Sequence, residues 1–202
     1  MCIRDSVYVM CTDGSKGSSD PEMTAQQLVE IRTREQQNAG KVLGLRDVVF
    51  LGYEDAMLQP TLDVRRDIAR EIRRHRPDVL ICQSPVRDLT GDGYIGHPDH
   101  FAAGEAAMSA VYPTARDRLT NPELLEEGLE PHNVRELWVN DHANPDLYVD
   151  VSQHIHTAVQ AIKQHESQVG DEEVEKHMRS WRTRTGEKVG LHYAESFKRF
   201  RF

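Results

Sequence analysis

The chain has 202 residues, of which 33 are acidic and 25 are basic, and its formal net charge is −8. This length suits a single α/β domain with a sizeable core. The acidic excess argues against a protein that binds duplex nucleic acid through a basic face. Apolar runs stay far short of the about 20 residues that a membrane-spanning helix needs. The scattered cysteines Cys2, Cys11 and Cys82 favour a reducing compartment, and hence the cytoplasm, over a disulfide framework.

The first six residues differ from those that follow. Half of them are polar, and they directly abut an apolar run at residues 7–11 that is typical of a buried parallel strand. A domain that opens directly on such a strand has no lead-in element, and the hexapeptide resembles translated sequencing adapter. We therefore expect residues 1–6 to be a non-native lead-in and residues 7–202 to form one domain.

Strand and helix patterns alternate from residue 7 onwards. Short apolar runs predict strands at 7–11, 48–51, 78–82, 134–139 and 147–151. Amphipathic or alanine-rich stretches predict helices at 23–43, 62–75, 101–111 and 152–168, and the charged tail at 171–202 is expected to be helical in part. Thr24 and Ser152 are the expected N-caps, and Gly44 is the expected stop of the first helix. The alternation predicts an α/β protein of Rossmann-like architecture, with a mostly parallel sheet flanked by helices.

The tetrad His97-Pro98-Asp99-His100 lies where the third strand and its loop lead into a helix. Pro98 suits the first helical position, because its missing N–H would be unpaired there. His97 is then the N-cap and His100 lies in the first turn, so both imidazoles share a face at the carboxyl edge of a sheet. From the residues alone, the pair fits either a metal or catalytic site or ordinary helix-start chemistry.

Six motifs in order along the chain identify a family resemblance. They are Thr12-Asp13-Gly14, Arg32 and Glu35 followed by Leu43-Gly44, Phe50-Leu51-Gly52-Tyr53, Arg76-Pro77-Asp78-Val79, Gly96-His97-Pro98-Asp99-His100, and His165-Glu166-Ser167-Gln168. With this order and spacing, which cover nearly the whole chain, the sequence resembles the LmbE-like (PIG-L) N-acetyl-sugar deacetylases.

The resemblance implies a zinc-dependent hydrolase, using zinc or another divalent metal, that removes the N-acetyl group from an N-acetylglucosamine-type sugar conjugate. It implies that His100 is a metal ligand, that His97 is the acid or oxyanion stabiliser, and that Asp99 modulates His97. In the family, the first central strand ends in an Ala-His-Pro-Asp-Asp motif that supplies the other two ligands and the general base. That motif does not occur in this sequence. We therefore expect a chain truncated at its N-terminus that lacks the remaining ligands, binds metal weakly and turns over no substrate.

Three further residues are candidates for substrate binding: Arg32, Asp13 and Tyr94. Arg32 could equally form a surface ion pair with Glu30 or Glu35. The alternative for Asp13 is a residue that only forms a turn, and the alternative for Tyr94 is an aromatic residue of a loop without a binding role.

The alternative function is a non-catalytic Rossmann-like module that binds a small molecule, or a phosphate through the loop at 12–20. The expected partner is a small N-acetyl sugar conjugate, with no nucleic acid and no membrane span. Exposed apolar strand edges would favour a homo-oligomer.

Overall fold

Helices and strands alternate through most of the chain in this computed structural model, which describes residues 5–89, 95–141, 143–169 and 171–202. The strands are β1 (Val7–Thr12), β2 (Asp47–Tyr53), β3 (Val79–Gln83), β4 (Glu136–Asn140), β5 (Leu147–Asp150) and β6 (Ala194–Arg201). The helices are α1 (Ala25–Leu43), α2 (Leu62–His75), α3 (Pro98–Ser109), α4 (Glu123–Glu126), α5 (Ile155–Ile162) and α6 (Asp171–Glu187), with a π-helical turn at Ala110–Thr114.

The strands form two sheets. β1 and β2 pair in parallel, and the second sheet has the order β3-β4-β6-β5. In the second sheet β3 and β4 are parallel, whereas β4 and β6 are antiparallel. The expected α/β class is confirmed, with sheets that are parallel in part. The strand β6 was not predicted, since its charged sequence was expected to be a partly helical tail.

Two compact units make up the chain. The first contains Met1–Asp55 and Tyr148–Ser196, and the second contains Ala56–Leu147 and Phe197–Phe202. The extent of a single domain over residues 7–202 stays a prediction.

In the first unit, α1 packs against α5, and the core includes Leu28, Ile155 and Val159. The predicted caps of α1 are confirmed. The Thr24 hydroxyl accepts a hydrogen bond from the Gln27 N–H in a capping box, and Gly44 ends the helix in the left-handed conformation.

The predicted start of α5 is wrong. The helix begins at Ile155 after His154 as N-cap and ends at Ile162. The Ser152 hydroxyl oxygen instead accepts a hydrogen bond from the Tyr193 N–H at 3.2 Å. Ser152 therefore links the residues just after β5 to Tyr193, just before β6, and does not cap α5.

In the second unit, α2 has the predicted bounds and buries Val64, Ile68 and Ile72. The helix α3 packs closely on β3, because a Cβ atom at Gly104 would overlap the Gln83 carbonyl. Glycine at this position therefore lets the helix that begins with the tetrad lie directly on the strand that precedes it.

Among the described residues, every helix is too short or too polar to span a lipid bilayer.

Candidate functional site

The first turn of α3 holds the tetrad in the arrangement that the sequence predicts. His97 is the N-cap and Pro98 occupies the first turn. The Asp99 N–H donates a hydrogen bond to His97 Nδ1 at 3.3 Å. Because Nδ1 accepts, the neutral ring carries its proton on Nε2. The N-cap geometry therefore determines which imidazole nitrogen can donate a proton.

The carboxylate of Asp99 is buried, with 4% of the residue exposed. Its Oδ2 accepts a hydrogen bond from the Ala56 N–H at 2.7 Å, and its Oδ1 accepts one from the Leu58 N–H at 3.3 Å. Asp99 Oδ2 also lies 3.9 Å from His97 Nδ1, a distance too long for a hydrogen bond. Asp99 thus anchors the segment that follows β2 while it stands close to the imidazole of His97.

His100 lies exposed beside His97. The two ring centroids are 5.7 Å apart, and the ring planes are tilted by 48°. The structure therefore brings the two predicted histidines together at one end of α3.

Sequence analysis overlooked Arg87, which follows β3. Its Nη1 donates to the carbonyl oxygens of Ile95 and Gly96 at 2.7 and 3.1 Å. Its guanidinium carbon lies 4.4 Å from the centre of the Phe101 ring. No sequence motif signals these contacts, because Arg87 and the carbonyls that it binds are eight and nine residues apart in the chain.

Asp13 lies in the first unit, at the end of β1. Its Oδ1 accepts hydrogen bonds from the Ser15 N–H at 2.9 Å and the Asp55 N–H at 3.1 Å. Burial acts to raise the pKa of Asp13, but the hydrogen bonds from Ser15 and Asp55 together lower it below its ordinary value. Asp13 is therefore an ionised carboxylate that joins the loops after β1 and β2.

Arg32 also belongs to the first unit and pairs with neither Glu30 nor Glu35 through the contacts that the structure describes. Its Nη1 donates to the Gly14 carbonyl oxygen at 2.7 Å and lies 3.3 Å from Asp55 Oδ2. Both side chains of this ion pair are 15% exposed. The guanidinium thus sits over the loop after β1.

Glu35 is buried and has a different partner. Its carboxylate accepts hydrogen bonds from the Ser167 N–H at 2.6 Å and the Ser167 hydroxyl at 2.7 Å. Two of the sequence motifs, one on α1 and one after α5, therefore meet in the first unit. Tyr94, the third candidate for substrate binding, lies outside the described residues.

The donors at the start of α3 suit a divalent metal. Imidazole nitrogen and carboxylate oxygen are the donor types that catalytic zinc takes, from three protein ligands. His97 Nδ1 and both Asp99 oxygens already accept backbone hydrogen bonds, and Nε2 of the neutral His97 ring carries the proton, so the candidate metal ligand of the tetrad is the imidazole of His100. The chemistry fits zinc, but further ligands would have to come from other residues.

Comparison with known proteins gives consistent matches. A family model described as PIG-L: GlcNAc-PI de-N-acetylase matches residues 4–111. The chain is 30% identical over 197 residues to the diacetylchitobiose deacetylase of Thermococcus kodakarensis, covering 96% of this chain and 72% of that protein. It is 27% identical to a probable N-acetyl-alpha-D-glucosaminyl L-malate deacetylase 2 of Bacillus anthracis, covering 80% of this chain and 67% of that protein.

The fold comparison agrees with the sequence matches. The structure of N,N'-diacetylchitobiose deacetylase from Pyrococcus horikoshii superposes with a TM-score of 0.87 at 28% identity, covering 96% of this chain and 72% of that chain.

Proposed function

Because the chain belongs to the PIG-L (GlcNAc-PI de-N-acetylase) family, we propose that it hydrolyses the acetamide of an N-acetylglucosamine-type sugar conjugate. The observation that carries this proposal is the pairing of His97 and His100, with ring centroids 5.7 Å apart at the start of α3. Relatives with deacetylase names and the TM-score of 0.87 to such an enzyme support it.

In this proposal His97 is the proton donor. In the neutral ring Nδ1 accepts from the Asp99 N–H, so Nε2–H can donate a hydrogen bond to the developing oxyanion. Protonation of the leaving amine would use the imidazolium form, in which Nδ1 also carries a proton, 3.9 Å from Asp99 Oδ2, and the ring becomes neutral again when Nε2 gives its proton to the amine. Asp99, fixed by the amides of Ala56 and Leu58, cannot turn freely away from the ring. It modulates His97 by keeping a negative charge close to Nδ1.

His100 would hold a divalent metal, zinc being our proposal. When bound, such an ion lowers the pKa of its water towards about 7 and polarises the amide carbonyl. Since the tetrad offers fewer than the three protein ligands of a catalytic zinc site, we propose that this 202-residue chain binds zinc weakly and does not turn over substrate by itself.

Arg32, Asp13 and Tyr94 are the proposed substrate-binding residues. Arg32 and Asp13 are charged groups held in fixed orientations by neighbouring backbone groups, and such groups can hydrogen-bond sugar hydroxyls. A cytoplasmic location and a homo-oligomer remain proposals that follow from composition and apolar surface.

The phosphate-binding alternative is not favoured by the loop after β1. Lys16 Nζ lies 2.8 Å from Glu54 Oε1, and Arg32 lies 3.3 Å from Asp55. Lys16 and Arg32 therefore already face carboxylates, which would compete with a bound phosphate.

The proposed function is tested by zinc content and acetate release from an N-acetylglucosamine glycoside. Two proteins are compared: this chain, and the same chain preceded by a strand, the Ala-His-Pro-Asp-Asp motif and a helix of the family. We expect weak zinc binding and no acetate from the first, and about one zinc per chain and acetate release from the second.

In the extended protein, His100→Ala should remove zinc and activity together, and His97→Ala should remove activity while zinc remains. The matched control is His177→Ala, whose exposed side chain lies on α6, and it should change neither quantity. A folded extended protein without zinc or activity would contradict the proposal.

A further inference from the structure

The Arg87 side chain is hydrogen-bonded to the backbone immediately before the tetrad. Its Nη1 donates to two successive carbonyl oxygens, those of Ile95 at 2.7 Å and Gly96 at 3.1 Å. Gly96 is followed directly by His97, the N-cap of α3. One guanidinium therefore holds the two peptide groups that lead into the proposed proton donor.

The ring of Phe101, one turn into α3, supports the same segment. The guanidinium carbon of Arg87 lies 4.4 Å from its centroid, a cation–π distance. On Gly96, a Cβ atom would lie 2.8 Å from Phe101 Cε2, so the ring packs directly on the backbone of that glycine. Gly96 has a φ of 77°, a left-handed conformation that glycine adopts without strain. Arg87 and Phe101 thus both contact the backbone at Gly96, directly before His97.

We propose that Arg87 is a positioning residue for His97: it fixes the two residues before the N-cap so that His97 Nδ1 stays on the Asp99 N–H and Nε2 stays the proton-bearing nitrogen. This inference rests on the proposed function, in which Nε2–H is the proton donor. Arginine suits the role because Nη1 of its guanidinium can donate to both carbonyls while the planar group lies against the Phe101 ring.

Because Arg87 is exposed, its effect on the position of His97 can be measured separately from its effect on the free energy of unfolding. Arg87 is an exposed residue, and its contacts to carbonyls at the surface contribute little to the free energy of unfolding. A small displacement at a catalytic group, by contrast, can lower a rate by on the order of 10²-fold. We therefore expect Arg87 to affect the state of His97 much more than the stability of the fold.

The test is an NMR measurement on this chain labelled with ¹⁵N-histidine, under basic conditions at which imidazole is neutral. The His97 ring signals are assigned with His97→Gln. In the wild-type chain we expect the Nε2–H tautomer. Arg87→Ala should shift the ring nitrogens towards tautomer averaging and weaken the hydrogen-bond shift of the Asp99 amide. The matched control is Arg118→Ala, an exposed arginine paired with Glu130, which should leave both signals unchanged.

An unchanged His97 signature in a folded Arg87→Ala chain would overturn the proposal. If circular dichroism shows that Arg87→Ala does not fold, Arg87→Lys decides: a smaller shift in the same direction supports positioning, and no shift overturns it. These signals need neither substrate nor zinc. Absence of acetate release from the extended protein would therefore overturn the proposed function without affecting this measurement.

Discussion

Arg73 on α2 has a guanidinium that is buried in the second unit and held by backbone oxygens. The residue is 2% exposed. Its Nη2 donates to the carbonyl oxygens of Thr114 at 2.9 Å and Asp117 at 2.8 Å, and its Nε donates to that of Ala115 at 3.2 Å. Burial lowers the pKa of Arg73 from its ordinary value, but a guanidinium stays charged in proteins. One side chain thereby satisfies several carbonyls in the connection between α3 and β4.

Arg73→Met should lower the free energy of unfolding by about 3 kcal/mol, because buried carbonyls lose their donors while apolar volume is kept. Urea denaturation followed by circular dichroism measures the change. Arg73→Lys should lose less, since an ammonium keeps the charge and three donors. The control Arg118→Ala, at an exposed ion pair, should have little effect. A methionine variant as stable as the wild-type chain would show that water serves these carbonyls equally well.

At the scale of elements, the contact between α3 and β3 determines where the tetrad lies. A Cβ atom on Gly104 would lie 3.0 Å from the Gln83 carbonyl carbon and 3.1 Å from that of Ser84. These are backbone atoms, which cannot move aside as a side chain could. Any residue larger than glycine must therefore push the helix away from the strand.

Gly104→Ala should destabilise the second unit by about 1–3 kcal/mol, the usual cost of overpacking, and should also shift the ring signals of His97 and His100. Urea denaturation and histidine NMR measure the two effects. Glu105→Ala, on the exposed side of the same helix, is the control and should change neither. If Gly104→Ala kept both the stability and the histidine signals, close packing of α3 on β3 would not be what places the tetrad.

Features encoded by neighbouring residues could be predicted from the sequence. The caps at Thr24 and Gly44 and the helix start at His97 follow from preferences of residues close in the chain. The contacts of Arg73 and Arg87 could not be predicted, since each arginine reaches carbonyls that only the fold brings near. An arginine in a charged stretch is, by its pattern alone, indistinguishable from a solvated one.

At the scale of the whole molecule, pH acts on stability through His165. Burial lowers the pKa of His165 from its ordinary 6.5, and the charge of Glu35 opposes that shift in part. The unfolded chain therefore takes up this proton at a higher pH than the folded chain does. The contribution is fully present above the ordinary pKa, and it is lost progressively as the pH falls through that value towards the lowered one.

The free energy of unfolding should accordingly fall as the pH is lowered from about 7.5 to 5.5, and His165→Gln should flatten this part of the curve. Urea denaturation at a series of pH values measures the slope. His156→Gln, an exposed position on α5, is the control and should keep the wild-type slope. Equal slopes for wild type and His165→Gln would assign the dependence to other groups, such as carboxylates.

The position of β6 in the sheet has a consequence for folding of the chain during synthesis. This strand is late in the sequence but lies between β4 and β5 in the sheet order, with Val139 paired to Lys198 and Glu136 to Arg201. While the ribosome is still adding these residues, β4 can already pair with β3, but neither β4 nor β5 can pair with β6. The second sheet can therefore be completed only after residue 201 has left the exit tunnel, and until then the nascent chain presents unpaired strand edges on which chaperones can act.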